Sequence, residues 1–303
     1  MEPKKIGMGA LRLLITGSNG LLGQKMVAMC LVHRMDFAAI SSGPNRNPDC
    51  PDSNYTALDI TREQEVLTYL DSHNFTHIVH TAAMTNVDAC ELNAALCNEI
   101  NYLASKRLFE IAQKKGCHFT LLSTDFVFDG HQGNYIETDM PNPLSVYGRS
   151  KWMAEQELIQ SAYSKWAIAR TIIVYGKGHQ LNKSNIFSWL MQELTQGKEV
   201  SLITDHFRAP TWAEDLAEGC LSIVRHDASG IFHLSGPETL SIYEIGLRVA
   251  RYLGVSERLI KPINSKNLKQ PAPRPAMTGF NLEKSASILG YKPHSIEETL
   301  EYL

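Results

Sequence analysis

Long hydrophobic runs are missing from this chain: no apolar stretch approaches the ~18 residues that a membrane-spanning helix needs. A secretory leader is not expected either. Lys4 and Lys5 precede a partly apolar stretch, but Arg12 interrupts it, and Leu13, Leu14 and Ile15 lead into a glycine-rich loop. Residues 1–10 therefore read as a short tail ahead of a first strand. Cysteine is sparse, with six among 303 residues and no C-x-x-C pair, which predicts buried thiols in a reducing compartment rather than disulfides or a zinc site. Neither sign of charge is in excess. Twenty-nine Lys+Arg against 32 Asp+Glu leave a formal charge of −3, so nothing draws the whole chain to nucleic acid or an anionic membrane. What is present, 44% hydrophobic and 20% charged residues, is an ordinary globular mix. The composition predicts a cytoplasmic α/β protein of about two domains.

Strand-like and helix-like runs alternate through the first half. Short β-compatible runs are expected over 11–16, 37–41, 55–59, 77–82, 119–123 and 166–174. Helical patterns fall between them: one over 61–72, opened by a Thr61/Gln64 capping box, one over 89–115, and one beginning near Tyr147. That alternation predicts a doubly wound parallel sheet of Rossmann type, covered by helices on both faces. Residues 1–175 are expected to form this dinucleotide-binding domain. Residues 176–303 are expected to form mainly a smaller substrate-binding domain, with segments near 205–240 as candidates to return to the sheet. In that second half, helices are expected over 186–195, 213–225 and 241–253, strands over 199–204 and 231–235, and a proline-rich loop over 261–277.

The first strand runs directly into Gly17-Ser18-Asn19-Gly20-Leu21-Leu22-Gly23 and then a helix. Gly17 permits a tight turn, Gly20 lets backbone approach a pyrophosphate, and Gly23 lets the helix pack close to the strand. The helix N-terminus adds free N–H groups and partial positive charge. With a strand before it and a helix after it, the triplet has the context that a dinucleotide fingerprint requires. An acidic residue that would bind a ribose diol should end the second strand. That position holds Ser41 and Ser42, with Arg46 nearby, a set that suits a 2′-phosphate and so NADPH over NADH. Asp59 and Ile60 could flank an adenine ring.

Tyr147 and Lys151 are four apart, on one face of the helix expected there. A lysine ammonium beside a phenol would lower its pKa and fit it for proton transfer. Thr124 and Asp125 close a predicted strand, and active sites of open α/β sheets lie beyond such carboxyl ends. His77 and His80, on another strand, point to opposite faces and read as packing or surface residues rather than joint metal ligands.

In the stretches Thr81–Glu91 and Ser123–Gly130, and again in Tyr147-Gly148-Arg149-Ser150-Lys151, the sequence resembles the extended short-chain dehydrogenase/reductases, and most nearly their dTDP-4-dehydrorhamnose reductase branch. The resemblance implies an NAD(P)H-dependent reductase of a nucleotide-linked 4-keto-6-deoxysugar. It implies a catalytic set of Thr124, Tyr147 and Lys151, with Tyr147 the proton donor and Thr124 at the developing oxyanion. Thr81, Ala82, Ala83 and Thr85 would lie along the cofactor. Thr85, Thr124, Asp125, Asn185, Arg208 and Arg274 would meet the substrate, with Arg208 able to clamp a diphosphate. A homodimer is a family-level expectation.

There are departures. Ile173 stands where relatives often carry a base-stacking Trp, and His206 and Arg208 replace Gln and Gly. The Asp-Glu pair of the sugar-nucleotide 4,6-dehydratases is Asp125-Phe126 here, so elimination lacks its second carboxylate. The Cys of the fucose synthases is Asp125. Two alternatives stay open: a nucleotide-sugar epimerase with retained NAD, and a non-catalytic regulatory subunit. The β subunit of methionine adenosyltransferase shares the family and the F-R-x-P-T pattern at residues 207–211.

Overall fold

Short runs rich in Leu, Ile, Val and Ala cannot hide both faces of an extended backbone alone, and here they pair into one buried sheet. A computed structural model describes residues 11–181 and 185–303; the tail expected over 1–10 lies outside the described residues. In chain order the strands are β1 (Arg12–Thr16), β2 (Asp36–Ser41), β3 (Tyr55–Ala57), β4 (His77–His80), β5 (His118–Thr124), β6 (Trp166–Thr171) and β7 (Val174–Tyr175). They continue as β8 (Val200–Ile203), β9 (Phe207–Arg208), β10 (Thr211–Trp212), β11 (Gly230–His233), β12 (Leu240–Ser241), β13 (Ile260–Ile263) and β14 (Met277–Thr278). The helices are α1 (Leu21–Val32), α2 (Glu63–Asp71), α3 (Val87–Leu92), α4 (Ala94–Asn98), α5 (Ala104–Lys115) and α6 (Val146–Ile159). After them come α7 (Ile186–Thr195), α8 (Ala213–Arg225), α9 (Ile242–Leu253), α10 (Glu283–Leu289) and α11 (Ile296–Thr299).

Seven strands form the main sheet in the order β11-β6-β5-β4-β1-β2-β3, every neighbouring pair parallel. The chain winds outward from β1 in both directions, which opens a crevice beyond the carboxyl ends of β1 and β4. One face is covered by α1 and α8, where Met26, Val27, Leu216 and Leu221 are fully buried. The other is covered by α2, α5 and α6, through Leu70, Leu108, Ala154 and Leu158. A separate core of Phe187, Leu190, Leu202, Ile245 and Val249 joins α7, β8, α9 and β13.

Four local expectations need correction. The Thr61/Gln64 capping box does not form: Thr61 instead binds Asp59, and α2 starts after Arg62 with no side-chain cap. The helix expected over 89–115 is broken into α3, α4, a π-helical turn (Glu99–Leu103) and α5, because Asn93 leaves the helical conformation (φ −135°, ψ 69°) and caps α4 with its own side chain. The strand expected over 166–174 splits, since Ile173 adopts φ 33°. A β-branched residue rarely holds this conformation. Thr211 holds it here, its N–H reaching the carbonyls of Ile172 and Ile173 and its Oγ1 donating to Ile172 at 2.6 Å. The expected loop over 261–277 contains most of β13. Its Pro262 is tolerated because β13 is an edge strand paired with β8.

Candidate active site beyond the strand ends

The glycine loop is a tight backbone cradle. Gly17 has φ +71°, and a Cβ there would lie 2.6 Å from the Ala82 nitrogen. A Cβ on Gly23 would collide with the Gly17 carbonyl. Helix α1 begins after exposed Gly20 with no side-chain cap and no acidic residue in its first turn, leaving its N–H groups and dipole for an anion. Ser18 Oγ, in the same loop, is buried without a hydrogen-bond partner. This donor set fits a pyrophosphate. Asn19 is turned away from the cradle and ties it to the loop after β2: its amide donates to Pro44 O at 2.9 Å and accepts from the Arg46 N–H at 2.9 Å. Ser41, Ser42 and Arg46 are thereby held at the cradle's edge, Ser42 exposed and the other two half-buried. Leu22 packs into the core, Leu21 is half-buried, Asp59 is half-buried with Ile60 beneath it, and Thr85 is exposed. Thr81 anchors its strand end to β1 by donating to Thr16 O at 2.7 Å, which brings Ala82 beside Gly17, with Ala83 next in the chain.

Thr124 ends β5, and its Oγ1 caps the short turn Asp125–Val127 by accepting the Phe126 N–H. Helix α6 starts at Ser145, whose side chain accepts the Gly148 N–H. Gly148 allows α6 to press on that turn, since a Cβ there would strike the Phe126 carbonyl. This contact sets the Tyr147 ring edge-on to Phe126 at 5.7 Å, beside the turn that Thr124 caps. Burial pushes the Tyr147 phenol well up; the Thr124 hydroxyl opposes this, while Asp125, Cys90 and Cys97 add to it. The expected net lowering is therefore not what this site produces. Lys151, one turn on and 2% exposed, has its ammonium pulled down to about 8 by burial, against support from Glu155 and Cys97.

Several bracing residues carried no signal in the local sequence. Asn101, in the π-helical turn, accepts the Met84 N–H at 2.8 Å and reaches Met84 O, Ser150 Oγ and Cys97 Sγ, so it locks the loop after β4 to α6. A π turn is often found at functional positions, but its register is invisible in one sequence. Glu155, fully buried one turn beyond Lys151, accepts from Ser123 Oγ at 2.5 Å and from Arg170 at 2.6 Å. His80 is buried between Thr16 and Ser105, and His77 lies against Asp227; both serve packing.

Second-half residues are placed unevenly. Asn185 caps α7, accepting the Ser188 N–H and donating to Gly176 O. Arg208 is 3% exposed, and its guanidinium donates to the carbonyls of Phe207, Pro275 and Ala276 beside Asp125. The expected clamp on a diphosphate is thus not formed: the donors are turned into the fold. Asp125 is buried too, bonded to Thr124 and Thr278 rather than facing the crevice. Burial raises its pKa, opposed by Arg208, Thr278 and Thr124. Arg274, half-buried, makes a two-pronged pair with Asp88, spanning the two halves of the chain.

The family model described as RmlD substrate binding domain matches residues 11–303. The chain is 30% identical over 269 residues to dTDP-4-keto-6-deoxy-D-glucose reductase of Streptomyces niveus, covering 88% of this chain and 87% of that one. It is also 30% identical over 296 residues to methionine adenosyltransferase 2 subunit beta of Danio rerio, covering 95% and 87%. Among solved structures, dTDP-4-dehydrorhamnose reductase from Bacillus anthracis in complex with NADP superposes with a TM-score of 0.83 at 26% identity, covering 96% of this chain and 97% of the other.

Proposed function

We propose, for a chain that belongs to the RmlD substrate binding domain family, an NAD(P)H-dependent reductase that converts the C4 ketone of a nucleotide-linked 4-keto-6-deoxysugar to an alcohol. What supports this reading is Tyr147 near the start of α6 with its ring against the turn that follows Thr124 at the end of β5, buried Lys151 one helical turn on, and a glycine cradle shaped for a pyrophosphate at the end of β1. The backbone of residues 17–23 would hold the diphosphate. Ser41, Ser42 and Arg46 would meet a 2′-phosphate, and Thr81, Ala82, Ala83 and Thr85 would border the nicotinamide half. Asp59 and Ile60 would flank the adenine. When bound, the reduced nicotinamide supplies the hydride.

Tyr147 is the proton donor in this reading. A phenol pushed up by burial stays protonated at neutral pH and gives its proton only to a strongly basic acceptor, such as the alkoxide that forms as the ketone is reduced. Thr124 would meet that oxygen as its charge develops. Lys151 brings positive charge into a dry site and steadies the negative charge left on the tyrosine oxygen. Asn185 and Arg274 would border the sugar nucleotide, and two such chains would form the homodimer expected of the family. The compartment would be the cytoplasm.

The test is absorbance at the nicotinamide band with purified protein, NADPH or NADH, and a dTDP-4-keto-6-deoxysugar. Stoichiometric oxidation is expected, faster with NADPH. Tight cofactor retention without net oxidation would favour an epimerase. Binding without turnover across a panel of keto sugars would favour a regulatory role of the methionine adenosyltransferase beta type. Tyr147→Phe is expected to lose turnover and keep cofactor binding; unchanged turnover would remove Tyr147 as the acid.

A further inference from the structure

Gln24 follows the last glycine of the cradle on α1 and is only 4% exposed. Both ends of its amide are used outside its own helix. Oε1 accepts the His179 N–H at 2.8 Å, while Nε2 donates to His179 O at 2.8 Å and to Asn19 O at 3.1 Å. An amide carries two N–H donors and an acceptor oxygen, so one buried side chain grips both the cradle and the segment 176–181 that follows β7. Gly178 makes room for that grip, since a Cβ there would sit 3.0 Å from Gln24 Oε1. Gln180 then turns the segment with φ 44°, and its carbonyl accepts from Arg46 Nη1 at 3.3 Å. Beside it the His179 ring lies 3.6 Å from Asp49. Arg46 is also held at its backbone, its N–H donating to Asn19 Oδ1 at 2.9 Å. Asn19 Nδ2 in turn donates to the Tyr55 hydroxyl at 3.1 Å, and that hydroxyl donates to Gly43 O at 2.6 Å.

We infer that Gln24 is a positioning residue which, through the segment 176–181, holds the Arg46 guanidinium at the cradle's edge and so selects NADPH over NADH. This deepens the reductase reading and rests on it, since there Arg46 meets the 2′-phosphate. An arginine on an open loop loses rotamer freedom when it meets a phosphate. With its backbone N–H on Asn19 and its guanidinium on Gln180 O, Arg46 is ordered before the cofactor arrives. Five N–H donors on one planar fork let a guanidinium hold a carbonyl and a phosphate together. Both anchors lead back to Gln24, whose partners are Asn19 O and the His179 backbone. NAD has a ribose diol in place of the 2′-phosphate, so its binding draws nothing from a braced Arg46. The preference between the two dinucleotides thus depends on a buried amide of α1 as well as on the arginine itself.

The test is calorimetric binding of NADP+ and of NAD+ to the full-length protein, which needs no turnover. Gln24→Met keeps the length of the side chain and removes the amide. It is expected to weaken NADP+ about tenfold and NAD+ by less than about threefold. In an Arg46→Ala background the same substitution is expected to weaken NADP+ by less than about threefold too, because the group through which it acts is gone. An equal loss for the two dinucleotides, or an undiminished loss of NADP+ without Arg46, overturns the inference and makes Gln24 a structural support of the cradle. Gly178→Val gives a second route should Gln24→Met fail to fold. It lies on the exposed segment, leaves the amide in place and pushes the segment off it. The ratio of NADP+ to NAD+ affinity is expected to fall about threefold or more; an unchanged ratio overturns the inference. A wild type that binds NADP+ no tighter than NAD+ also overturns it, and leaves standing a reductase that uses either cofactor. A wild type that binds NADP+ tightly but reduces no keto sugar ends the reductase reading, and the binding constants alone then decide whether Gln24 braces Arg46.

Discussion

Lys151 carries a charge in a place where charge is expensive. Its folded pKa of about 8 lies below the ordinary 10.5 because burial outweighs Glu155 and Cys97. Below pH 8 the group is charged both folded and unfolded, and the full cost of burying it is present. Between about 8 and 10.5 the unfolded chain binds more protons than the folded one, so this group makes stability rise with pH. Lys151→Met is expected to abolish turnover while stabilising the fold at pH 7 by about 2–3 kcal/mol. Urea midpoints of wild type and variant at pH 7 and pH 10 check it, the gap between the two proteins narrowing at the higher pH. Glu155 is the opposite case. Glu155→Gln leaves Arg170 buried without its counter-charge and is expected to cost about 3–5 kcal/mol, seen in the same urea curves. Neither cost is written in Y-x-x-x-K: spacing places Lys151 near Tyr147, but only burial decides the sign of each pKa shift.

At the scale of elements, the strand–loop–helix unit from β1 to α1 was readable because its constraints are local. Gly17 needs φ > 0 and both Gly17 and Gly23 touch backbone, requirements that a glycine triplet announces. Gly17→Ala is expected to cost at least about 2 kcal/mol, from φ strain and a clash with Ala82, and to abolish cofactor binding. Gly254→Ala is the control. It sits at the C-cap of α9 with φ +65° and nothing within 4 Å of its Cβ. A loss of about 1 kcal/mol with cofactor affinity kept is expected there. Thermal melts with and without NADPH separate the two. Helices α7, α8 and α9 were also legible in their ranges; the Ser241/Glu244 capping box that opens α9 emerged only in the structure. The break of 89–115 into α3, α4, the π turn and α5 was not. Its apolar periodicity is nearly continuous; the break falls at Asn93, which caps α4, and the π turn lies where Asn101 binds Met84, 17 residues back in the chain.

Across the whole molecule the two halves are not independent. Strand β11 completes the main sheet beside β6, and α8 packs on α1. Removing residues 176–303 would bare the β6 edge and the apolar side of α1 together. A fragment of residues 11–175 is therefore expected to lack fixed tertiary packing, with weak near-ultraviolet circular dichroism, whereas the full chain should unfold in urea in one transition. Two transitions would show that the halves fold separately.

Patterns satisfied within one turn or one strand–helix step were determined by the sequence alone: the parallel α/β architecture, the phosphate cradle, and the placing of Tyr147 and Lys151 on one helix. The tertiary structure decided what depends on groups far apart in the chain. It turned Arg208 inward to Asp125, gave Asn185 a capping task, and raised the phenol of Tyr147 rather than lowering it. The physical reason is that backbone geometry is a short-range property. Desolvation and the pairing of buried charges are set by whichever distant residues the fold brings alongside.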